Sequence, residues 1–248
     1  MSQLINKMSF YYGDEVIQFG ISERLGSSHR VLIKVYPDCV VEAKAPLNTP
    51  SDEILTAVKK RARWIYKQLR QFRLQSAFVL PRQYVSGETH YYLGRQYMLK
   101  VLVVPHQTQY VKLLRGKLEV SVRQKSAEKV RELLNDWYRV RAKELFCKRL
   151  AAMLAQTRWV VIAPTLRILT MKTQWGSCSP QGRLTLNPHL VKASRESIDY
   201  VILHELCHLA EHNHSERFYK LMRQVMPNWE IVKERLDKMA AIFLNGDS

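Results

Sequence analysis

Apolar positions recur with a period near two in the first part of the chain and at spacings of three and four later on. Residues 31–36 and 39–43 are short apolar-rich runs separated by Pro37 and Asp38. This predicts a hairpin with its turn at that dipeptide. Residues 46–50 read as a loop. From there Ser51 is placed to cap a helix reaching to about residue 72, whose buried stripe is Ile54, Val58, Ala62, Ile65 and Leu69. Strand patterns return at 89–93, 96–104, 110–114 and 117–122, punctuated by Gly87, Gly94 and Gly116. Ser126 then opens a long helix to about residue 156, with Val130, Leu134, Trp137 and Leu145 facing a core. Residues 159–163 and 167–170 are strand-like, 174–180 is a turn or loop, and 182–187 is a short strand ended by Pro188. Three helices follow. The first is capped by Ser194, the second by Ser215, and the third begins at Asn228 and carries Trp229, Val232, Leu236, Met239 and Phe243.

This order predicts an α+β protein. A β-rich region with one basic helix, residues 1–125, precedes a largely helical region, residues 126–248. The chain has 248 residues, 46% of them hydrophobic, enough for a buried core without disulfides. No run approaches the roughly 18 apolar residues of a membrane span, so no membrane association is expected. Residues 1–7 lack the pattern of a secretory signal, which makes the cytoplasm the expected location. Cys39, Cys147, Cys178 and Cys207 are widely spaced and form no paired-cysteine metal motif.

The formal net charge is +17, and the first 125 residues carry 20 Lys/Arg against 9 Asp/Glu. The basic helix contributes Lys59, Lys60, Arg61, Arg63, Lys67, Arg70 and Arg73 with no acid among them, interleaved with Trp64, Tyr66 and Phe72. Two readings fit: a surface for nucleic acid or nucleotide phosphates, or a solvated face over a core that takes the aromatics. His90 and His106 read as structural or surface groups.

The chemistry concentrates in His204-Glu205-Leu206-Cys207-His208. Residues four apart share one face of a helix, so His204 and His208 can offer imidazole nitrogens to a single ion, with Glu205 alongside to take a proton from water. The helix is apolar on most sides, through Ile198, Tyr200, Ile202, Leu203, Cys207 and Leu209, which predicts a central position for it. A catalytic zinc site has three protein ligands and an open position. His214 is the expected third ligand, after a helix end at residues 211–213 with Asn213 in the left-handed conformation; Glu211, His212 and Glu216 are competitors. Tyr219 is a candidate hydrogen-bond donor to a reaction oxyanion.

Four blocks carry a family resemblance: Trp175-Gly176-Ser177-Cys178-Ser179; Leu184-x-Leu186-Asn187-Pro188-x-Leu190; the helix Ile198 through Leu209; and Asn213-His214-Ser215-x-x-Phe218. Together with Tyr92-Leu93-Gly94-Arg95-x-Tyr97 they resemble the YgjP-like metallopeptidase domain, also known as DUF45. Gln174 departs from the arginine that family often has there. The resemblance implies a zincin-like domain related to SprT and WLM peptidases, with a central HExxH helix, a short edge sheet and the β-rich N-terminal part packed on it. It implies Zn2+ on His204, His208 and His214, Glu205 as catalytic residue, and protein or peptide substrates. Related SprT-like and WLM proteins act on DNA-bound proteins. The expectation is a zinc metallopeptidase to which an extended peptide adds along 184–187 as a sheet edge. Hydrolysis of a nucleotide phosphoanhydride at the same site is an alternative, and a nucleic-acid-binding module with a structural metal is a second.

Overall fold

A computed structural model describes residues 6–24, 30–36, 39–76, 82–171, 174–179 and 181–244. It is α+β, with helices and several small mixed sheets. The chain divides into two compact units, Met1–Leu80 and Pro81–Ser248.

In the first unit, β1 (Asn6–Tyr12), β2 (Glu15–Glu23), β3 (Leu32–Val35) and β4 (Val41–Ala45) form a four-stranded sheet in the order β1-β2-β4-β3. The outer pairs are antiparallel and the central pair β2–β4 is parallel. The β3–β4 hairpin is as expected, although its Pro37-Asp38 turn lies outside the described residues; the β1–β2 hairpin was not anticipated. The expected single helix is two: α1 (Ser51–Lys59) and α2 (Ala62–Ser76). The Arg61 amide bonds three residues back, to Val58, instead of four, and this tightens the chain between them. The predicted stripe nevertheless survives, since Ile54, Val58, Ala62, Ile65 and Leu69 all lie in the core with Ile17, Phe19, Val41 and Ala43. Ser51 is the first helical residue and not the cap; Pro50 holds that position without a side-chain bond.

The second unit begins with β5 (Thr89–Tyr92), β6 (Arg95–Val103), β7 (Tyr110–Leu114) and β8 (Lys117–Val122), in the order β5-β6-β8-β7. Its pairing repeats that of the first sheet, with a parallel central pair between two hairpins, and a helix again follows. No sequence repeat announces this. The helix is α3 (Ala127–Leu154), capped by the Ser126 side chain, which accepts from the Lys129 amide. Val130 and Leu134 of α3 close a core with Leu99, Leu118, Val120 and Val122. The second sheet therefore belongs to the same compact unit as the helices. The change from strand-rich to helix-rich sequence near 125 and the division into units fall at different places for that reason.

The remainder of α3 packs on α4 (Arg195–Cys207) and on the 3-10 turn Pro188–Lys192. A three-stranded sheet follows, of order β10-β11-β9, from β9 (Thr165–Ile168), β10 (Gly176–Cys178) and β11 (Arg183–Leu186). Helices α5 (Glu216–Val225) and α6 (Trp229–Leu244) complete the unit. Three expectations are corrected here. Residues 159–163 are not a strand: they join none of the sheets, Val161 and Ile162 are 93% and 84% exposed, and the Trp159 indole turns inward to donate to the Leu206 carbonyl at 3.0 Å. Part of 174–180 is a strand, β10, which pairs antiparallel with β11. And β11 is not a sheet edge, since it is flanked by β10 and by β9, its parallel partner.

Candidate metal centre

Helix α4 is held at both ends and along its length. Ser194 caps it by accepting from the Ser197 amide at 3.1 Å. The β5–β6 turn docks against that cap: the Leu93 and Gly94 amides donate to the Val191 and Lys192 carbonyls. Gly94 has φ +76°, and a Cβ there would lie 3.1 Å from Ser194 Cα, so the turn needs glycine twice over. From α3, Arg149 grips Asp199 in a two-pronged ion pair at 2.6 and 2.7 Å. Trp159 satisfies a carbonyl in the last turn. The helix ends at Cys207, with His208 as a right-handed cap. This is earlier than expected, and Asn213 is not in the left-handed conformation. The chain turns through 208–210 instead, and Ser215 restarts α5 by accepting from the Phe218 amide.

That turn brings His214 back over α4. Ligand-type nitrogens of His204, His208 and His214 all lie within 4.8 Å of one another. Among the described residues no other group of three or more His, Cys, Asp or Glu side chains forms such a cluster. Of the competitors for the third position, His212 lines the adjoining cavity without joining the cluster, and Glu211 contributes its backbone carbonyl, to which His208 Nδ1 lies at 3.1 Å. Donation by that nitrogen leaves His208 Nε2 bare. Phe218, fully buried, touches all three imidazoles at ring separations of 4.9, 4.7 and 4.7 Å, and forms the apolar floor beneath them.

The donor set fits a cation. His204 Nε2 and His214 Nε2 are 3.0 Å apart, and two lone pairs at that distance need a proton or a metal between them. Donors on a tetrahedral ion with bonds of about 2.0–2.1 Å lie roughly 3.3 Å apart, a few tenths more. Burial pushes His204 down to about 3, helped by His208, His214 and Lys233. His214 is lowered by burial and by His208. The buried His204 Nδ1 has no hydrogen-bond partner among the described residues, so packing against Tyr200 and Phe218 orients the ring.

Glu205 is buried beside the cluster. Burial raises its carboxyl to about 7, opposed by a hydrogen bond from the Cys178 backbone N–H. Gly176 makes room for it: a Cβ there would lie 2.9 Å from Glu205 Cγ and 3.0 Å from Oε1. In the antiparallel ladder, residues bonded to the partner strand alternate with residues facing away. The Asn187 amide bonds the Trp175 carbonyl and the Ser179 amide bonds that of Arg183, so Gly176 and Cys178 direct their backbone groups away from β11, toward the site. Asn187, fully buried, anchors the approach to β10 through Nδ2, which donates to the carbonyls of Met171 at 2.7 Å and Gln174 at 3.0 Å. A cavity of about 540 Å³ opens here, walled by Trp175, Tyr200, Val201 and Leu236, with Lys233 and Asp237 of α6 also on its lining.

Sequence reasoning missed Phe218 as the floor and Asn187 as an anchor. It also took Tyr200 as packing only, although Tyr200, His204 and His208 are spaced at i, i+4 and i+8 on one stripe. Tyr219 does not line the cavity; it stacks between His214 and Trp229. His90 is buried, with Nε2 3.5 Å from Glu88, and His106 is exposed. Of the basic helix, Arg73 is drawn to Glu15 at 2.7 Å; Lys59, Lys60, Arg61, Arg63, Lys67 and Arg70 are exposed.

The profile of the YgjP-like metallopeptidase domain matches residues 29–239. The chain belongs to this family, and its class is that of a metal-dependent peptidase whose metal is a divalent ion. Among solved structures it is similar to the metallopeptidase zymogen abylysin of Pyrococcus abyssi, at 23% identity and a TM-score of 0.31, over 38% of this chain and 90% of that one. It is likewise similar to the zymogen jannalysin of Methanocaldococcus jannaschii, at 23% identity and 0.31, over 38% and 92%. No curated protein matches the chain. Among the described residues no helix is long and apolar enough to cross a membrane.

Proposed function

We propose that His204, His208 and His214 hold one zinc ion and that the centre hydrolyses peptide bonds with Glu205 as general base. The observation that carries this reading is the convergence of three imidazoles beside a buried carboxylate at the wall of a cavity. Three imidazole nitrogens suit zinc, which when bound would acidify water and polarise a scissile carbonyl.

The chain's own residues do the rest. Glu205 takes the proton of the attacking water and later delivers it to the leaving amine; a carboxyl held near 7 is suited to both transfers at neutral pH. The Cys178 amide fixes which way that carboxylate faces. The outward backbone groups of Gly176 accept an extended peptide as a further strand on β10, the edge strand of the small sheet that lies beside Glu205. The walls formed by Trp175, Tyr200 and Leu236 favour an apolar substrate side chain in the cavity.

Glu205→Gln tests the reading. The variant should keep its metal and lose hydrolysis of unfolded protein substrates by at least about a hundredfold. Normal turnover in that variant would remove Glu205 from the role. Nucleoside triphosphates run beside the protein substrates decide the class of bond: chelator-sensitive release of phosphate without peptide cleavage would overturn the peptidase assignment.

A further inference from the structure

The first unit carries a surface that the metal centre does not use. The buried stripe Ile54, Val58, Ala62, Ile65 and Leu69 commits the apolar side of α1 and α2 to the core. The side turned away from it carries Lys59, Lys60, Arg63, Lys67 and Arg70, all exposed, with Trp64 41% exposed among them. Arg63, Lys67 and Arg70 stand at i, i+4 and i+7 on one face of α2 and span about 10 Å of its axis. Trp64 precedes Lys67 by three residues, so the indole and the ammonium group sit on adjacent turns.

None of these five cations has an acidic partner among the described residues, whereas Arg73, further along the same helix, is neutralised by Glu15. Elsewhere the same exposed helical context does pair its charges: Lys129 with Glu132, Arg141 with Glu144, Lys233 with Asp237 and Lys238 with Glu234. Uncompensated like charges held on a rigid helix repel one another, and a polyanion relieves that repulsion. A large aromatic ring that is partly exposed beside them is the second half of such a site. It offers a stacking face to an unpaired base, which a duplex cannot supply without opening. A lipid surface fits less well. A membrane-lying helix needs its apolar face free, and here that face is already the core of the unit.

We propose that the exposed face of α1 and α2 binds single-stranded nucleic acid, with Lys59, Lys60, Arg63, Lys67 and Arg70 on phosphates and Trp64 stacked on a base. This stands independently of the metal centre. The test uses the full-length, metal-loaded chain and the fluorescence anisotropy of a labelled single-stranded oligonucleotide of about twenty nucleotides, titrated at several salt concentrations. Removing four cations together (Lys60→Ala, Arg63→Ala, Lys67→Ala, Arg70→Ala) should weaken binding more than tenfold. It should also flatten the dependence of log K on log salt by roughly 3, at about 0.7 per phosphate contact. Trp64→Ala should weaken binding about tenfold, and Trp64→Phe should restore most of it. Arg73→Ala should leave affinity unchanged, because Glu15 already holds that side chain. The substituted side chains lie outside the core, so every variant should stay folded, and the melting temperature of the fourfold variant should hold or rise as its repelling charges are removed. Four results would overturn the proposal: no binding by the wild type at low salt; equal binding by wild type and the fourfold variant; tighter binding of duplex than of single strand; or binding of polyglutamate or phosphatidylserine vesicles as tight as that of the oligonucleotide.

Discussion

Adding one methyl group at Gly176 should disable the centre without touching a proposed ligand. A Cβ at this position would lie 2.9 Å from Glu205 Cγ, 3.0 Å from Glu205 Oε1 and 3.1 Å from Val201 Cγ1. Carbon atoms in contact prefer about 3.5–4.0 Å, so the carboxylate or the strand must retreat by roughly 0.6 Å or more. Retreat of the carboxylate takes it from the Cys178 amide that fixes it. Retreat of β10 drags the proposed substrate edge with it. Overpacking of this kind costs about 1–3 kcal/mol, which lowers Tm by roughly 2–10 °C in a unit of this size. The catalytic effect is larger, because a displacement near 1 Å of a reacting group costs about a hundredfold in rate. Gly176→Ala should therefore bind metal as the wild type does and cleave an unfolded protein substrate at least tenfold more slowly, mostly in kcat. Elemental analysis, a melting curve and steady-state kinetics on one preparation separate these effects. Wild-type kcat with wild-type metal content would refute the placement of Glu205 against β10 as a catalytic requirement.

Four further outcomes follow from the same geometry. Phe218→Ala removes the floor under all three imidazoles and should cost about 3–5 kcal/mol together with a marked loss of metal affinity, read by denaturant unfolding and a chelator competition. Asn187→Ala leaves the carbonyls of Met171 and Gln174 without their donor; a loss of about 2–3 kcal/mol is expected, with KM raised because the approach to β10 loosens. Arg149→Ala strands the part-buried Asp199 and should lower stability by about 2 kcal/mol while leaving metal stoichiometry intact. Metal removal should lower Tm in a concentration-dependent way that added zinc reverses, because only the folded chain presents the three imidazoles together.

What could be read in advance depended on whether the information was local. Ser126, Ser194 and Ser215 cap their helices as expected, because a cap is decided within a few residues. The stripe from Ile54 to Leu69 likewise predicted the first core, even though the helix bearing it is broken at residues 60 and 61, where a single tightened bond leaves no mark in the apolar spacing. The pair His204 and His208 follows from the helical period alone. His214 is already preferred over His212, Glu211 and Glu216 from its spacing, and the path of the turn after residue 208 brings it beside the pair. That turn is made without the left-handed asparagine the sequence suggested. Sheet neighbours were the least legible. Three residues are too few for β10 to show a period, and alternation in β11 marks a strand without saying what flanks it. The peptide edge was therefore expected on β11, which is the central strand of the three, with β10 outside it. The strand-like run 159–163 misled for a related reason: the Trp159 side chain has a partner on α4 but the backbone has none in the sheet.

The central claim is most directly tested by the zinc affinity of the wild-type chain and of His204→Ala, His208→Ala and His214→Ala, each measured by competition against a fluorescent chelator. The account predicts one tightly held ion per wild-type chain and an affinity at least a hundredfold lower when any one of the three imidazoles is removed. If His214→Ala holds zinc as tightly as the wild type, the three side chains do not share one ion, and the proposed hydrolytic centre is wrong.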